Sequence, residues 1–263
     1  MTKSFPSKAL LLAAGLGERL RPLTLSTPKP LISIGSHLLI EYNLTLLKKF
    51  GVKEVMVNLH HLGEKIKTTL GNGKKYGLKI KYSEEKEILG TGGGIKNVES
   101  FFESESFIVM NADILLDISL HSVWETHLQQ KNIATLVLSS HERKDVKRLV
   151  YLNSRNEVLS ISENPPQENA KGYIFTGAQI LEKKILEQLP PQPHSLLRLR
   201  SVKSCLIQDA YIPLLKKKEK LGGVVCEGYF RDLGTFERYE AVKKEFERGW
   251  PYTTLKPEDF TSE

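Results

Sequence analysis

The sequence predicts an α/β protein: a Rossmann-like, doubly wound mixed sheet flanked by helices, with a smaller subregion of short strands. Three observations carry this. From residue 9 to residue 140, apolar runs of strand length alternate with stretches of helical period, the rhythm of parallel strands joined by crossover helices. Several runs, such as Ala9 to Ala14, are apolar without alternation, as strands covered on both faces are. Two glycine-rich turns punctuate the pattern, where open α/β sheets place their ligands.

At 263 residues the chain can bury a large core, with 40% hydrophobic and 26% charged residues in the ordinary globular range. Residues 1–250 read as one domain, with the short strands at about 141–203 as its subregion and 251–263 as a polar tail. A formal charge of +7 favours anionic partners. The basic residues are spread among acidic ones, so small polyanions account for the charge and no nucleic acid is expected. The densest cluster, Lys216 to Lys220, reads as the solvated end of a helix. Two cysteines, Cys205 and Cys226, without CxxC spacing argue for a reducing compartment and against a disulfide scaffold or zinc site. The early apolar run breaks at Gly15 and meets Glu18 and Arg19, which does not suit a secretion signal, and no stretch approaches the ~20 apolar residues of a membrane span. The expectation is a soluble cytoplasmic protein with no membrane partner.

The elements follow in order. Ala9 to Ala14 forms a buried strand that ends in Leu12, Ala13, Ala14 and the turn Gly15 to Gly17, after which Glu18, Arg19, Arg21 and Lys29 follow closely. Glycines let backbone N–H groups approach an anion, arginine offers a planar fork for phosphate oxygens, and lysine adds a mobile charge. A dinucleotide fingerprint would need glycine at Leu20, and the GxxxxGK[ST] phosphate loop has no counterpart here. A helix with Leu39, Ile40, Leu44 and Leu47 closes at Lys48, Lys49 and Gly51. Val52 to Leu59 is a strand with His60 and His61 in the loop beyond it, a helix spans about Leu62 to Leu70, and Leu78 to Tyr82 is a further strand.

Leu89-Gly90-Thr91-Gly92-Gly93-Gly94 is the second glycine turn, leading into a helix near Ile95 to Phe101. Three consecutive glycines point to close backbone approach by a flat ligand. Phe107 to Asp113 is an apolar strand ending in a carboxylate suited to a hard cation such as Mg²⁺. A helix from Leu120 to Gln130 and a strand from Ile133 to Ser140 follow. Leu149 to Leu152 and Glu157 to Ile161 read as short strands joined by a turn at Asn153 to Asn156. Gly172 to Ile180 is a strand. A proline-rich loop (Pro190, Pro191, Pro193), the run Leu196 to Arg200, a helix from Gln208 to Lys218, a strand through Gly222 to Val225 and a helix from Thr235 to Arg248 complete the chain.

At five places the residues carry a resemblance. Ala14-Gly15-Leu16-Gly17-Glu18-Arg19-Leu20-Arg21-Pro22-Leu23-Thr24, then Pro28-Lys29-Pro30, resembles the N-terminal signature of the nucleotidyltransferases that activate sugar 1-phosphates. Leu89 to Gly93 resembles that family's second nucleotide motif, and Phe230-Arg231-Asp232-Leu233-Gly234-Thr235 its aromatic-x-Asp-x-Gly-Thr motif. Ala112-Asp113 stands where the family has Gly-Asp, and Glu163-Asn164-Pro165 where it has Glu-Lys-Pro, so a lysine that grips the sugar phosphate is missing; Lys171 is the candidate substitute. No hexapeptide repeat follows.

The resemblance implies transfer of a nucleotidyl group from an NTP to a sugar 1-phosphate, giving an NDP-sugar and pyrophosphate for cell-envelope or glycan biosynthesis. It implies Arg19 and Lys29 as catalytic, and Leu12, Ala13, Ala14, Gly15, Gly17, Gly90, Thr91 and Gly92 as nucleotide-binding. Asn111, Glu163 and Gly177 would bind sugar, which makes 141–203 a sugar-binding subregion, and Asp113 and Asp232 would hold Mg²⁺. Homo-oligomers are common in the family. Its guanylyltransferases for mannose and heptose phosphates and its uridylyltransferase for muramate phosphate leave GTP and UTP both open. A non-catalytic nucleotide-sugar sensor is the alternative that Asn164 suggests; a glycosyltransferase would carry an Asp-x-Asp pair, which Asp113-Ile114-Leu115 lacks.

Overall fold

The computed structural model describes residues 3–102, 106–141, 145–168, 170–192 and 201–260. Pro193 and the run Leu196 to Arg200 lie outside them. In chain order the elements are β1 (Lys8–Leu12), β2 (Ser33–Ile34), β3 (His37–Leu38), α1 (Leu39–Lys49), β4 (Glu54–Leu59), α2 (Gly63–Leu70), β5 (Lys79–Glu84) and α3 (Gly90–Asn97). Then come β6 (Ser106–Asn111), β7 (Ile114–Leu116), α4 (Leu120–Gln130), β8 (Ala134–Ser139), β9 (Leu149–Leu152), β10 (Val158–Ser162) and β11 (Lys171–Glu182). The chain closes with α5 (Ile212–Lys216), β12 (Leu221–Cys226), β13 (Phe230–Asp232) and α6 (Phe236–Arg248). Among the described residues no helix is long and apolar enough to cross a membrane.

The fold is mixed α/β, and the chain divides into two compact units. One holds Pro6–Ile88, Met110–Ser119 and Gly228–Glu263; the other holds Met1–Phe5, Leu89–Val109 and Leu120–Glu227. In the first, β1, β4 and β5 run parallel, Leu10 opposite Met56 and Val55 opposite Ile80. Ala9, Leu10 and Leu11 are each fully buried, so β1 is covered on both faces, as its unbroken apolar run requires. Helix α1 crosses over between β1 and β4 and buries Leu44 and Leu47. The residues after α6 are not a solvated tail: Tyr252 and Leu255 are buried, and the Asp117 carboxylate accepts hydrogen bonds from Thr253 N, Thr253 Oγ1 and Thr254 N, each 2.7 Å. Apolar side chains spaced among polar ones anchor this segment.

In the other unit β8 pairs antiparallel with β11 and parallel with β12, and β9 joins β10 to the N-terminal end of β11. The β9–β10 turn bears Asn156 at φ 60°, a left-handed conformation that asparagine tolerates well. Lys216, the last residue of α5, and Lys217 to Lys220 beyond it are all exposed.

Here His127, 1% exposed, holds Thr135 Oγ1 on Nδ1 (2.9 Å) and Glu182 Oε1 on Nε2 (2.9 Å). Burial pushes the Glu182 carboxyl up, but hydrogen bonds from His127, Ser106 and Lys3 outweigh it and bring its pKa down to about 2. Its folded value thus lies below its unfolded one. The stabilisation is complete above pH ~4.5 and is lost as pH falls toward 2, amounting to up to about 3 kcal/mol. Melting wild type and Glu182→Gln in parallel should show a gap in Tm near neutrality that closes between pH 4.5 and 2; a gap independent of pH would contradict this.

Candidate functional site

At the C-terminal end of β1 the chain organises its own backbone first. Leu12 O accepts from Ala112 N (3.0 Å), and Ala13 N donates to Asn58 Oδ1 (2.7 Å). Asn58, 2% exposed, passes the contact on through Nδ2 to Glu85 Oε1 (2.7 Å), and His60 Nδ1 lies 2.8 Å from Glu85 O. A buried polar network satisfied in this way fixes where the turn begins.

The two glycines of that turn differ. Gly15 is exposed, and a methyl group on it would meet no atom within 4 Å; its missing side chain leaves open space. Gly17 has φ +66°, and a methyl there would come 2.9 Å from Thr24 Cγ2. Gly17 O accepts from Leu20 N (2.9 Å) and Thr24 Oγ1 (2.8 Å), which folds the following residues into short 3₁₀ turns. His61 Nε2 on Thr24 O (3.2 Å) and Lys65 Nζ on Ser26 O (2.6 Å) hold those turns from α2 and the loop before it.

Charges gather beside this turn. Lys29 is set between Pro28 and Pro30 in a 3₁₀ turn, its side chain only 11% exposed, and it forms an ion pair with Asp113. Asp113 does not end strand β6 as its sequence suggests; it sits in the turn between β6 and β7. Strand β7 then pairs antiparallel with β13, placing Asp232 opposite Ile114, while Leu233 N donates to Asp113 O (3.2 Å). The two aspartates are therefore neighbours across one ladder. Asp232 Oδ1 accepts from Gly234 N (2.9 Å) and Arg238 Nη1 (2.8 Å). Arg19 is exposed, and its Nη2 would lie 3.4 Å from a methyl group on Gly234.

One unit thus brings together Leu12 to Gly17, Arg19, Lys29, Asn111, Asp113 and Asp232. Two adjacent carboxylates, each partly accessible, are the donor set a Mg²⁺ ion takes when substrate phosphates and water complete its shell, so these residues fit that ion.

Gly90, Thr91, Gly92, Glu163 and Gly177 belong to the other unit. The glycine run is not a turn preceding a helix: α3 begins at Gly90 and ends at Asn97, before a separate 3₁₀ turn at Glu99–Phe101. Nor is a ligand needed to explain its glycines. Gly92 N (3.0 Å) and Gly93 N (3.4 Å) donate to Ser204 O, Leu206 N donates to Thr91 Oγ1 (3.1 Å), and a methyl on Gly90 or Gly92 would come 2.5 Å from Ser204 O or Ser204 Oγ respectively. The chain itself approaches this closely. Gly177 has φ +90° where the register of β11 against β8 shifts. Glu163 and Asn164 are exposed beyond β10, and Lys171 lies over the Tyr173 ring at 5.4 Å.

Sequence reasoning missed Asn58, Glu85 and Arg238. A polar residue inside the apolar run Val55 to Leu59 was a readable signal for the first. Arg238 follows the N-cap Thr235 by one helical turn, but nothing local announces its pairing with Asp232.

Residues 8–249 match the family model described as nucleotidyl transferase. The UTP–glucose-1-phosphate uridylyltransferase of Synechocystis sp. is 33% identical over 197 residues, which are 70% of this chain and 51% of that protein, so the chain spans about half the length of this relative. The D-glycero-alpha-D-manno-heptose 1-phosphate guanylyltransferase of Aneurinibacillus thermoaerophilus is 29% identical over 241 residues, 91% of this chain and 98% of that one. The crystal structure of HddC from Yersinia pseudotuberculosis complexed with GMP-PN superposes with a TM-score of 0.73 and 26% identity, covering 91% of this chain and 99% of its own.

Proposed function

Because the chain belongs to the nucleotidyl transferase family, we propose that it transfers a nucleotidyl group from an NTP to a sugar 1-phosphate, releasing pyrophosphate and forming an NDP-sugar. The observation that carries this reading is the alternation of charge beside the first turn: Lys29 on Asp113, and Arg238 on Asp232, with Arg19 close by. Such a cluster suits two polyanions and a divalent cation.

A phosphate oxygen of the sugar 1-phosphate attacks the α-phosphorus of the NTP; the new O–P bond forms as the bond to the β-phosphate oxygen breaks, and the electron pair leaves with pyrophosphate. The nucleophile is already anionic, so no general base is needed. The protein's share is positioning and charge stabilisation. Gly15 leaves room for the phosphates against the backbone, Lys29 stabilises charge at the α-phosphate, and Arg19, with its exposed fork, the departing pyrophosphate. Asp113 and Asp232 would hold Mg²⁺, which when bound neutralises phosphate charge. The buried Asn58–Glu85 contact keeps the turn's backbone in register.

GTP with a heptose or mannose 1-phosphate is the first pair to test, since the relative matched along nearly its whole length is named a heptose-phosphate guanylyltransferase; the uridylyl relative makes UTP the second. Pyrophosphate release measured with four NTPs against a set of sugar 1-phosphates should show one dominant pair. No release with any pair would overturn the proposal.

A further inference from the structure

Arg238 has no part in the reaction as described, yet it sits among the groups that do. It lies in the first turn of α6, three residues past the N-cap Thr235, whose Oγ1 accepts from Arg238 N at 3.4 Å. That is an unfavourable place for a cation, because the helix dipole presents its positive end there. A second cation stands close by. A methyl on Gly234 would lie 2.8 Å from Arg238 Nη1 and 3.4 Å from Arg19 Nη2, so both guanidinium groups converge on one spot, with Asp232 Oδ1 at 2.6 Å from the same point. Two permanent positive charges and a helix N-terminus around one carboxylate make a locus that favours further negative charge.

The helix is held so that Arg238 stays there. Arg231 donates to Glu245 through Nη2 (2.9 Å) and Nε (3.1 Å), Tyr229 OH donates to Glu245 Oε2 (2.5 Å), and the Arg231 guanidinium lies 4.9 Å over the Tyr229 ring. These contacts tie α6 to β13 and fix the spacing between Asp232 and Arg238.

We infer that Arg238 is a phosphate-binding residue that, together with Arg19, grips the β,γ-phosphates of the NTP and the pyrophosphate they become. Its pairing with Asp232 orients the guanidinium, and Asp232, if it held a metal ion, would leave that guanidinium's charge to the phosphate. The inference rests on the nucleotidyl-transfer reading, but its test is separable from it.

The test is calorimetric titration of inorganic pyrophosphate into wild type, Arg238→Ala and Arg238→Lys in buffer with Mg²⁺, alongside thermal melting and KM for each substrate. Arg238→Ala should weaken pyrophosphate binding at least tenfold and raise KM for the NTP, leaving KM for the sugar 1-phosphate within about twofold. Arg238→Lys should be intermediate, since an ammonium keeps the charge but loses the fork; should the alanine variant not fold, the lysine variant alone decides by its pyrophosphate affinity. Unchanged pyrophosphate affinity in a folded variant, a KM rise confined to the sugar 1-phosphate, or no pyrophosphate binding by wild type would overturn the inference. Loss of pyrophosphate affinity in a chain that makes no NDP-sugar would retain Arg238 and discard the reaction; NDP-sugar synthesis with a wild-type-like Arg238→Ala would do the reverse.

Discussion

Lys29→Ala should lower kcat by about 10²- to 10³-fold and leave the fold standing. The side chain is 11% exposed and set between two prolines, so its charge is held in place before any substrate arrives. Charge fixed in advance stabilises a transition state more than charge that must be recruited, because no reorganisation accompanies the reaction. The structural cost of losing it is small. Asp113, 35% exposed, can be solvated once its partner is gone, and half-exposed pairs contribute about 1 kcal/mol or less. Tm should therefore fall by no more than about 4 °C. Lys29→Arg should not restore activity, since the longer planar group does not fit the lysine's confined course. Near-normal turnover of the alanine variant would remove Lys29 from the site.

Asp117→Ala should give the largest loss of stability, about 3–4 kcal/mol. The carboxylate is 3% exposed and takes three hydrogen bonds of 2.7 Å from Thr253 and Thr254. Alanine removes the acceptor for all three, two of them backbone N–H groups, and loosens the segment that packs Tyr252 and Leu255. Trp250 Nε1 donates to Leu255 O at 2.7 Å, so tryptophan fluorescence should report the release. Tm should fall by roughly 6–12 °C, with Asp117→Asn less severe because the amide oxygen still accepts. A fall below about 2 °C would show that the C-terminal segment is held by its aromatic packing alone.

These two residues mark what the sequence made readable. Lys29 stands in a long motif with fixed glycine, arginine and proline positions, so its place could be anticipated from the chain alone. Asp117 could not be, because its partners lie more than 130 residues away and the tail's composition resembles solvated chain. The same division holds for the fold. Periodicity located α1, β4, α2, β5, α4 and β8 within a residue or two, since each buries a face or both faces. It failed at Gly90–Asn97, where glycines argue against a helix and the groups that cap its start, Ser204 O and the segment around it, come from elsewhere in the chain. It also misjudged Asp113, because an apolar run says where burial ends and not where the ladder does. Arg238 was silent for a related reason: an arginine on an amphipathic helix reads as surface until β13 brings Asp232 beneath it.

The proposed chemistry is tested most directly by following the label from an NTP radiolabelled at the α-phosphorus, incubated with the preferred sugar 1-phosphate, in parallel with the same NTP labelled at the γ-phosphorus. Nucleotidyl transfer predicts the α-label in an NDP-sugar and the γ-label in pyrophosphate, in equal amounts. An α-label that stays with unreacted NTP or appears in free nucleotide, with none in an NDP-sugar, would contradict it.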